Sequence, residues 1–364
     1  MITVLVCYER ISLFHTMEPF FRYRSKGGFR FTQSADFCLA GDTNKTLFME
    51  RCFQYRAPRD LKPEELEMMK KLRDRYKNIV FFCGQPEAGT NRLDLLPYVD
   101  RLFYKSVFSD RNNYLKKLYG KNLFADHYHF RYGICDHPEY ITKETISSGS
   151  QERPELSWNI GVGSYPRSDW PQRAGVVLAR AGLPSLGRLA GGVKFRRSVP
   201  RDFSGLRRGI AVHARIDPVS CPSIAHQRRL FLDIISRFGE KDRALFLTGM
   251  TSQRRYYREL TDAKIVLSPF GWGEVCFRDF EAILSGALLF KPDMSHLKTW
   301  PDVYIPYETY IPLDWDGQDL LEKTKQYMED DKERKRIAEN AYHRYRSELS
   351  GLGDRFYSLL GDLL

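Results

Sequence analysis

The sequence predicts an α/β protein made of two doubly wound domains that face a central cleft. Three observations carry that expectation. Short β-branched or aromatic runs alternate with longer amphipathic segments, the alternation restarts after residue 208, and 364 residues are enough for two cores of ordinary size. With 42% apolar and 14% aromatic residues, the chain is too apolar for a solvated tail.

In the first half, Thr3 to Cys7, Phe37 to Ala40, Leu47 to Cys52, Asn78 to Cys83, Leu102 to Lys105 and Lys121 to Ala125 read as strands. Lys62 to Tyr76 carries helical periodicity, with Pro63 near its start. Ile141 to Pro154 (ITKETISSGSQERP) is polar and without period, which marks an exposed loop. Gly191 to Arg208 is rich in Gly and Arg, and a fresh βα series follows it, so the domain junction is placed there.

The second half reads as strand Gly209 to Arg215, helix Ala225 to Phe238, strand Ala244 to Thr248, helix Arg254 to Asp262 and strand Lys264 to Ser268. Helix Phe277 to Ser285 and strand Ala287 to Lys291 follow, then a charged helix from about Gly317 to Glu348 with a break at Asp331. The expected division is an acceptor-binding domain over 1–200, a nucleotide-sugar-binding domain over 201–345, and a terminal helix over 346–364 that returns to the first domain.

The longest clean apolar stretch, Ala282 to Phe290, is far short of a bilayer span, and MITVLVCYERIS lacks the basic start and long apolar stretch of a leader. Seven scattered cysteines form no CxxC pair, which excludes a zinc site of that type and a disulfide framework. The expected address is cytoplasmic, with room for peripheral contact at the inner face of a membrane. A net charge of +11 favours anionic partners.

The segment Lys264 to Asp293 carries the most chemistry: strand, loop, helix, strand. Gly271 and Gly273 permit close backbone approach, and the orphan N–H groups at the start of the next helix suit a phosphate. Arg278 adds a forked cation, and Glu281 can accept hydrogen bonds from a ribose diol. The plainer alternative is a tight turn followed by a solvated helix face.

Pro269, Gly271, Trp272, Gly273, Arg278, Phe280, Glu281, Ala282 and Gly286 form a longer pattern than a turn requires. It resembles the donor-binding core of the GT-B type glycosyltransferases, which have two Rossmann-like domains, and is most similar to their exostosin-like and spore-maturation-type branches. The resemblance covers the C-terminal half well and the N-terminal half by architecture. It implies that Arg278 holds the diphosphate of a nucleotide-sugar donor and Glu281 the ribose, with Trp272 and Glu274 in the same donor-binding set. Retaining enzymes of this fold commonly carry two glutamates eight positions apart, whereas Glu274 and Glu281 are seven apart. The first strand is followed by CYERISLFH and no glycine-rich loop, which leans towards an inverting enzyme.

Other residues support this site. Arg215 ends a strand, and Gln227, Arg228 and Arg229 open a helix, so arginines converge at one sheet edge and can neutralise a departing diphosphate as a divalent ion does elsewhere. No metal or cofactor is therefore expected. Glu9 and His15 follow the first strand, and either can serve as general base; His213 reads as a packed core residue. Gln85 and Glu87 punctuate another strand-end loop, His127 and His129 suit one strand face as remote metal candidates, and Trp170, Trp300 and Tyr304 are candidate sugar-stacking rings. Pro171 to Arg197 mixes apolar residues with arginines and has no acid, which suits an anionic membrane or an anionic polymer.

The expected function is transfer of a sugar from a nucleotide-sugar donor to a glycan, lipid-linked or other hydroxyl acceptor, with no nucleic acid partner. The alternatives are an epimerase or phosphorylase of the same architecture, and a basic RNA-binding protein.

Overall fold

A computed structural model describes residues 2–23, 28–40, 45–50, 61–84, 92–138, 145–165, 170–191, 203 and 207–364. Its strands in chain order are β1 (Ile2–Val6), β2 (Phe29–Thr32), β3 (Thr46–Glu50), β4 (Asn78–Phe82), β5 (Arg101–Tyr104), β6 (Ser106–Phe108) and β7 (Pro154–Leu156), then β8 (Ile210–His213), β9 (Phe246–Leu247), β10 (Ala263–Leu267), β11 (Leu288–Pro292), β12 (Leu297–Thr299) and β13 (Ile311–Leu313). One sheet has the order β2-β1-β3-β4-β5-β7 and the other β13-β11-β10-β8-β9. Every neighbouring pair in both is parallel. Parallel sheets are covered on both faces, and this is why β3 (TLFME) and β11 (LLFKP) are buried at every position.

In each sheet the strand order reverses at one place, which is where open α/β sheets generally form a ligand crevice, beyond the carboxyl ends of the strands. In the first sheet β1 lies between β2 and β3; in the second β8 and β10 adjoin, with β9 beyond β8. Glu9 and His15 follow β1, Arg215 follows β8, and the Gly271 loop follows β10, so chain order alone brings most of the predicted residues to the two crevices.

Two expected strands are helical. Phe37 to Ala40 lies in a helix, Ala35–Ala40, begun by Ser34, whose hydroxyl accepts from the Phe37 N–H at 3.1 Å. Lys121 to Ala125 overlaps the helix Leu123–Tyr132, capped by Asn122, whose Oδ1 accepts from the Ala125 N–H at 3.0 Å. In both places a short apolar run has no period to separate strand from helix, and the side-chain cap decides. The break expected near Asp331 is real: helices Leu320–Glu329 and Asp331–Ser350 meet at Asp330, whose carboxylate accepts from the Glu333 N–H at 2.8 Å.

The two halves are tied together in three ways. β6 and β12 pair antiparallel across them. An apolar cluster runs without a break from Leu5 and Met49 through Phe124 and Ile160 to Phe270, Phe280 and Leu289. The last helix, Leu352–Leu360, packs Leu352, Phe356 and Leu360 against Phe20, Phe48, Phe82 and Trp158 of the first domain. Full burial of a side chain such as Phe356 stabilises by roughly 1.5–3 kcal/mol, enough to hold that helix to the first sheet. Most of the expected junction, residues 192–206, lies outside the described residues apart from Phe203, as do Gln85 and Glu87.

Candidate active site

The loop Ser268–Cys276 leaves β10 and turns into the helix Phe277–Ser285, and its shape is held from below by one carboxylate. Asp279 is fully buried and accepts from the Ser268 hydroxyl at 2.5 Å, the Cys276 N–H at 2.8 Å, the Tyr304 hydroxyl at 2.7 Å and the Lys291 ammonium at 3.0 Å. Lys291 is equally buried, so the pair is desolvated and each charge relies on the other. Gly286, with φ +72°, ends the helix in the left-handed conformation that favours glycine.

Two guanidiniums grip the backbone of this loop. Arg278 donates from Nε to the Ser268 hydroxyl at 3.1 Å and from Nη2 to the Pro269 carbonyl at 3.0 Å. Arg228 donates from Nε to the Phe270 carbonyl at 3.1 Å and from Nη1 to the Asp217 carbonyl at 2.8 Å. Burial, reinforced by the nearby Arg278 charge, lowers the pKa of Arg228. The two like charges therefore feel one another, an arrangement that a bound anion relieves. A Cβ on Gly271 would meet Cys276 Sγ at 3.0 Å, a contact tight enough that the thiol would have to shift. Trp272 stands half exposed between Gly271 and Gly273.

The first domain reaches the same corner. The turn after β1 places His15 with its ring centroid 4.9 Å from that of Phe277, and Arg10 with its guanidinium carbon 5.3 Å from the same ring. His15 is buried, and its Nδ1 bonds the Ile160 carbonyl at 2.8 Å; a carbonyl only accepts, so Nδ1 carries the proton and Nε2 the lone pair. Nε2 has no protein partner among the described residues. Burial, aided by the nearby Arg10 and Lys105 charges, pushes the pKa of His15 down to about 3, so the ring stays neutral at physiological pH. Glu9 sits partly exposed on the turn, its carbonyl accepting from the Leu13 N–H at 2.8 Å.

A Cβ on Gly163 would overlap the His15 ring and the Phe14 carbonyl. Gly163→Ala is therefore expected to displace His15 from Ile160 and to destabilise the fold by about 1–3 kcal/mol, the cost of overpacking. Urea denaturation gives the stability, and a histidine NMR titration shows whether His15 then protonates near pH 6; a variant of unchanged stability and titration removes the close approach from the account.

Other predicted residues have local partners. Arg215 stands at the crevice of the second sheet, but it is held bidentately by Glu259 (Nε to Oε2 2.9 Å, Nη2 to Oε1 2.7 Å) and also donates to the Thr248 carbonyl. Glu281 accepts from the Tyr256 and Tyr257 hydroxyls at 2.9 and 3.0 Å. Glu274 is fully buried with His296 Nε2 3.7 Å from Oε1. His213 is a core residue, as its place in the strand suggests. Tyr304 is buried on Asp279 rather than offered as a stacking ring, because its hydroxyl is needed there.

His127 and His129 are on a helix, not a strand face. His127 bonds Asp316 Oδ1 at 2.8 Å across the domains, while His129 stacks on Tyr119 at 3.6 Å. Among the described residues no group of three or more His, Cys, Asp or Glu is arranged to hold a metal ion.

Sequence reasoning missed Asp279, Lys291 and Arg10. Cys276 and Asp279 form a capping box in the structure, but Cys-x-x-Asp departs from its usual Ser/Thr-x-x-Glu/Gln signature, so the sequence does not mark Asp279. Nothing local distinguishes Lys291 within β11 or Arg10 after β1, since the partners that matter to them are far along the chain.

No curated protein matches this chain. Solved structures similar to it include an α-glucosyltransferase in complex with UDP and a 13-mer DNA containing an HMU base (11% identity, 100% of this chain and 98% of that one, TM-score 0.48). Another is Anabaena Alr3699/HepE in complex with UDP-glucose (9% identity, 100% and 99%, TM-score 0.46). A third is an α,α-trehalose-phosphate synthase (UDP-forming) from Burkholderia vietnamiensis (16% identity, 98% and 82%, TM-score 0.43). Residues 234–350 match the family described as glycosyl transferase-like, a stretch that contains the Gly271 loop, Arg278, Asp279 and Lys291.

Proposed function

We propose that the protein transfers a sugar from a nucleotide-sugar donor to a hydroxyl acceptor, a glycan or a lipid-linked sugar, at the corner where the Gly271 loop meets the turn after β1. The observation that carries this reading is the pair of guanidiniums, Arg228 and Arg278, held on the carbonyls of Pro269 and Phe270 beside a helix start. Two preorganised cations and the first-turn N–H groups of Phe277–Ser285 suit a diphosphate and stabilise it as it departs. In this reading they act without a metal ion. Arg215, neutralised by Glu259, shapes the crevice edge instead of binding the anion.

Trp272 offers its face to the donor, and Glu281 reaches the ribose if Tyr256 and Tyr257 share it. Of the two base candidates, Glu9 is preferred. A buried histidine whose pKa is near 3 is a weak proton acceptor and is closed to the acceptor hydroxyl, so His15 packs the turn that carries Glu9 instead of acting as base. The spacing from Pro269 to Gly286 supports the exostosin-like or spore-maturation-type branch.

Arg278→Ala tests the reading. Calorimetry with uridine, guanosine, cytidine and thymidine diphosphates identifies the tightest ligand, and the variant is expected to bind it more weakly by about 1.5–3 kcal/mol, the value of a charge-assisted hydrogen bond. Unchanged affinity in a folded variant overturns the assignment. Conversion of a nucleotide sugar without acceptor would point to an epimerase instead.

A further inference from the structure

The helices Trp170–Arg180 and Pro184–Gly191 form a hairpin on the first domain, and they pack on each other so closely that a Cβ on Gly175 or Gly187 would strike the other's carbonyl. The hairpin's inner face is anchored. Gln172, Gly175 and Ala179 are buried, Gly175 lies against Phe14, Arg180 donates to the Tyr8 carbonyl at 2.9 Å, and Arg188 pairs bidentately with Glu18 at 2.6 and 3.0 Å. The hairpin is thus fixed to the turn that carries Glu9 and His15.

Its outer face is unusual for a protein surface. Trp170, Val177, Leu183, Leu186 and Leu189 are 50–74% exposed, and they are five of the twelve large apolar side chains that are exposed among the described residues. At 100° per residue, Trp170, Arg173 and Val177 share one stripe, opposite the buried Gln172, Gly175 and Ala179. The run Pro171 to Arg197 contains six basic residues and no acidic one. Of these, Lys194, Arg196 and Arg197 lie outside the described residues, Arg188 is paired with Glu18 and Arg180 is bonded to Tyr8, while Arg173 is exposed among the apolar side chains; an apolar row with an exposed guanidinium and no carboxylate in the run suits a surface that is apolar beneath and negative above. An acidic protein partner would match the arginines but leave the aliphatic row in water.

We infer that the outer face of this hairpin docks on an anionic lipid bilayer, with Trp170, Val177, Leu183, Leu186 and Leu189 in the headgroup–acyl boundary and Arg173 among the lipid phosphates. The hairpin's inner face is fixed to the turn after β1, so docking of the outer face holds that turn one hairpin's thickness from the membrane. The inference stands apart from glycosyl transfer, because lipid binding needs no donor and either can fail alone.

The full chain is mixed with vesicles of phosphatidylcholine alone and of phosphatidylcholine with phosphatidylglycerol, and the bound fraction is read by cosedimentation at low and high salt. Binding is expected to the anionic vesicles, to fall with salt, and to drop by about tenfold in Val177→Glu/Leu186→Glu, with circular dichroism and melting unchanged. A second variant, Trp170→Ala, should lose binding and remove any tryptophan blue shift seen on vesicle addition. Equal binding by the wild type and both variants overturns the inference. So does binding to a soluble anionic polysaccharide without binding to vesicles, or a dimer in sedimentation that Leu189→Glu dissolves while vesicle binding is absent.

Discussion

Asp279→Ala is expected to cost about 3–5 kcal/mol of stability, because it leaves the Lys291 ammonium buried without its counter-charge. It also removes the acceptor shared by Ser268, Cys276 and Tyr304, so the loop under Gly271 loses its shape as well as its support. A loss of that size lowers the melting temperature by about 6–20 °C for a domain of this length. Calorimetric melting checks it. Asp279→Ala/Lys291→Met is expected to recover part of the loss, since methionine fills the lysine's volume and removes the ammonium left without its counter-charge. A single variant that melts with the wild type would show that the pair is not what holds the loop.

Acidification is the second large effect. Burial lowers the pKa of His15 to about 3 and of His213 to about 4, against an ordinary value of 6.5. The unfolded chain therefore binds protons at these positions that the folded chain refuses, between pH 6.5 and 3 for His15 and between 6.5 and 4 for His213. Their contribution is intact above pH 6.5 and is lost as pH falls through that window. Each histidine costs up to about 1.4 kcal/mol per pH unit. Asp126 works the other way: burial raises its pKa to about 6 from 3.8, so its protonation on acidification offsets roughly one histidine. Urea midpoints measured from pH 7.5 to 4.5 should fall, and His213→Phe should flatten the fall. A stability that is level over this range would contradict the buried neutral state of both rings.

Much of the second sheet was legible from local pattern. Helix Phe277–Ser285 matches its expected span residue for residue, and β10 and β11 are displaced by about one residue, because apolar runs bounded by glycines and prolines leave few alternatives. The first domain was harder to read. Phe37 to Ala40 and Lys121 to Ala125 are as apolar as true strands, and only the caps at Ser34 and Asn122 mark them as helical. His127 and His129 were misplaced with the second of these segments, since two positions apart means one face on a strand and different faces on a helix.

The chain order of runs, turns and glycines was sufficient to set two parallel sheets, two crevices and the loop that carries Gly271, because these depend on neighbours a few residues away. The partners of each site residue were not. Whether Arg215 is spent on Glu259, Arg278 is poised on Pro269, Asp279 is locked to Lys291 or His15 is held neutral under Ile160 depends on residues brought together from remote parts of the chain. Desolvation and pairing act through space, and spacing along a sequence does not record them.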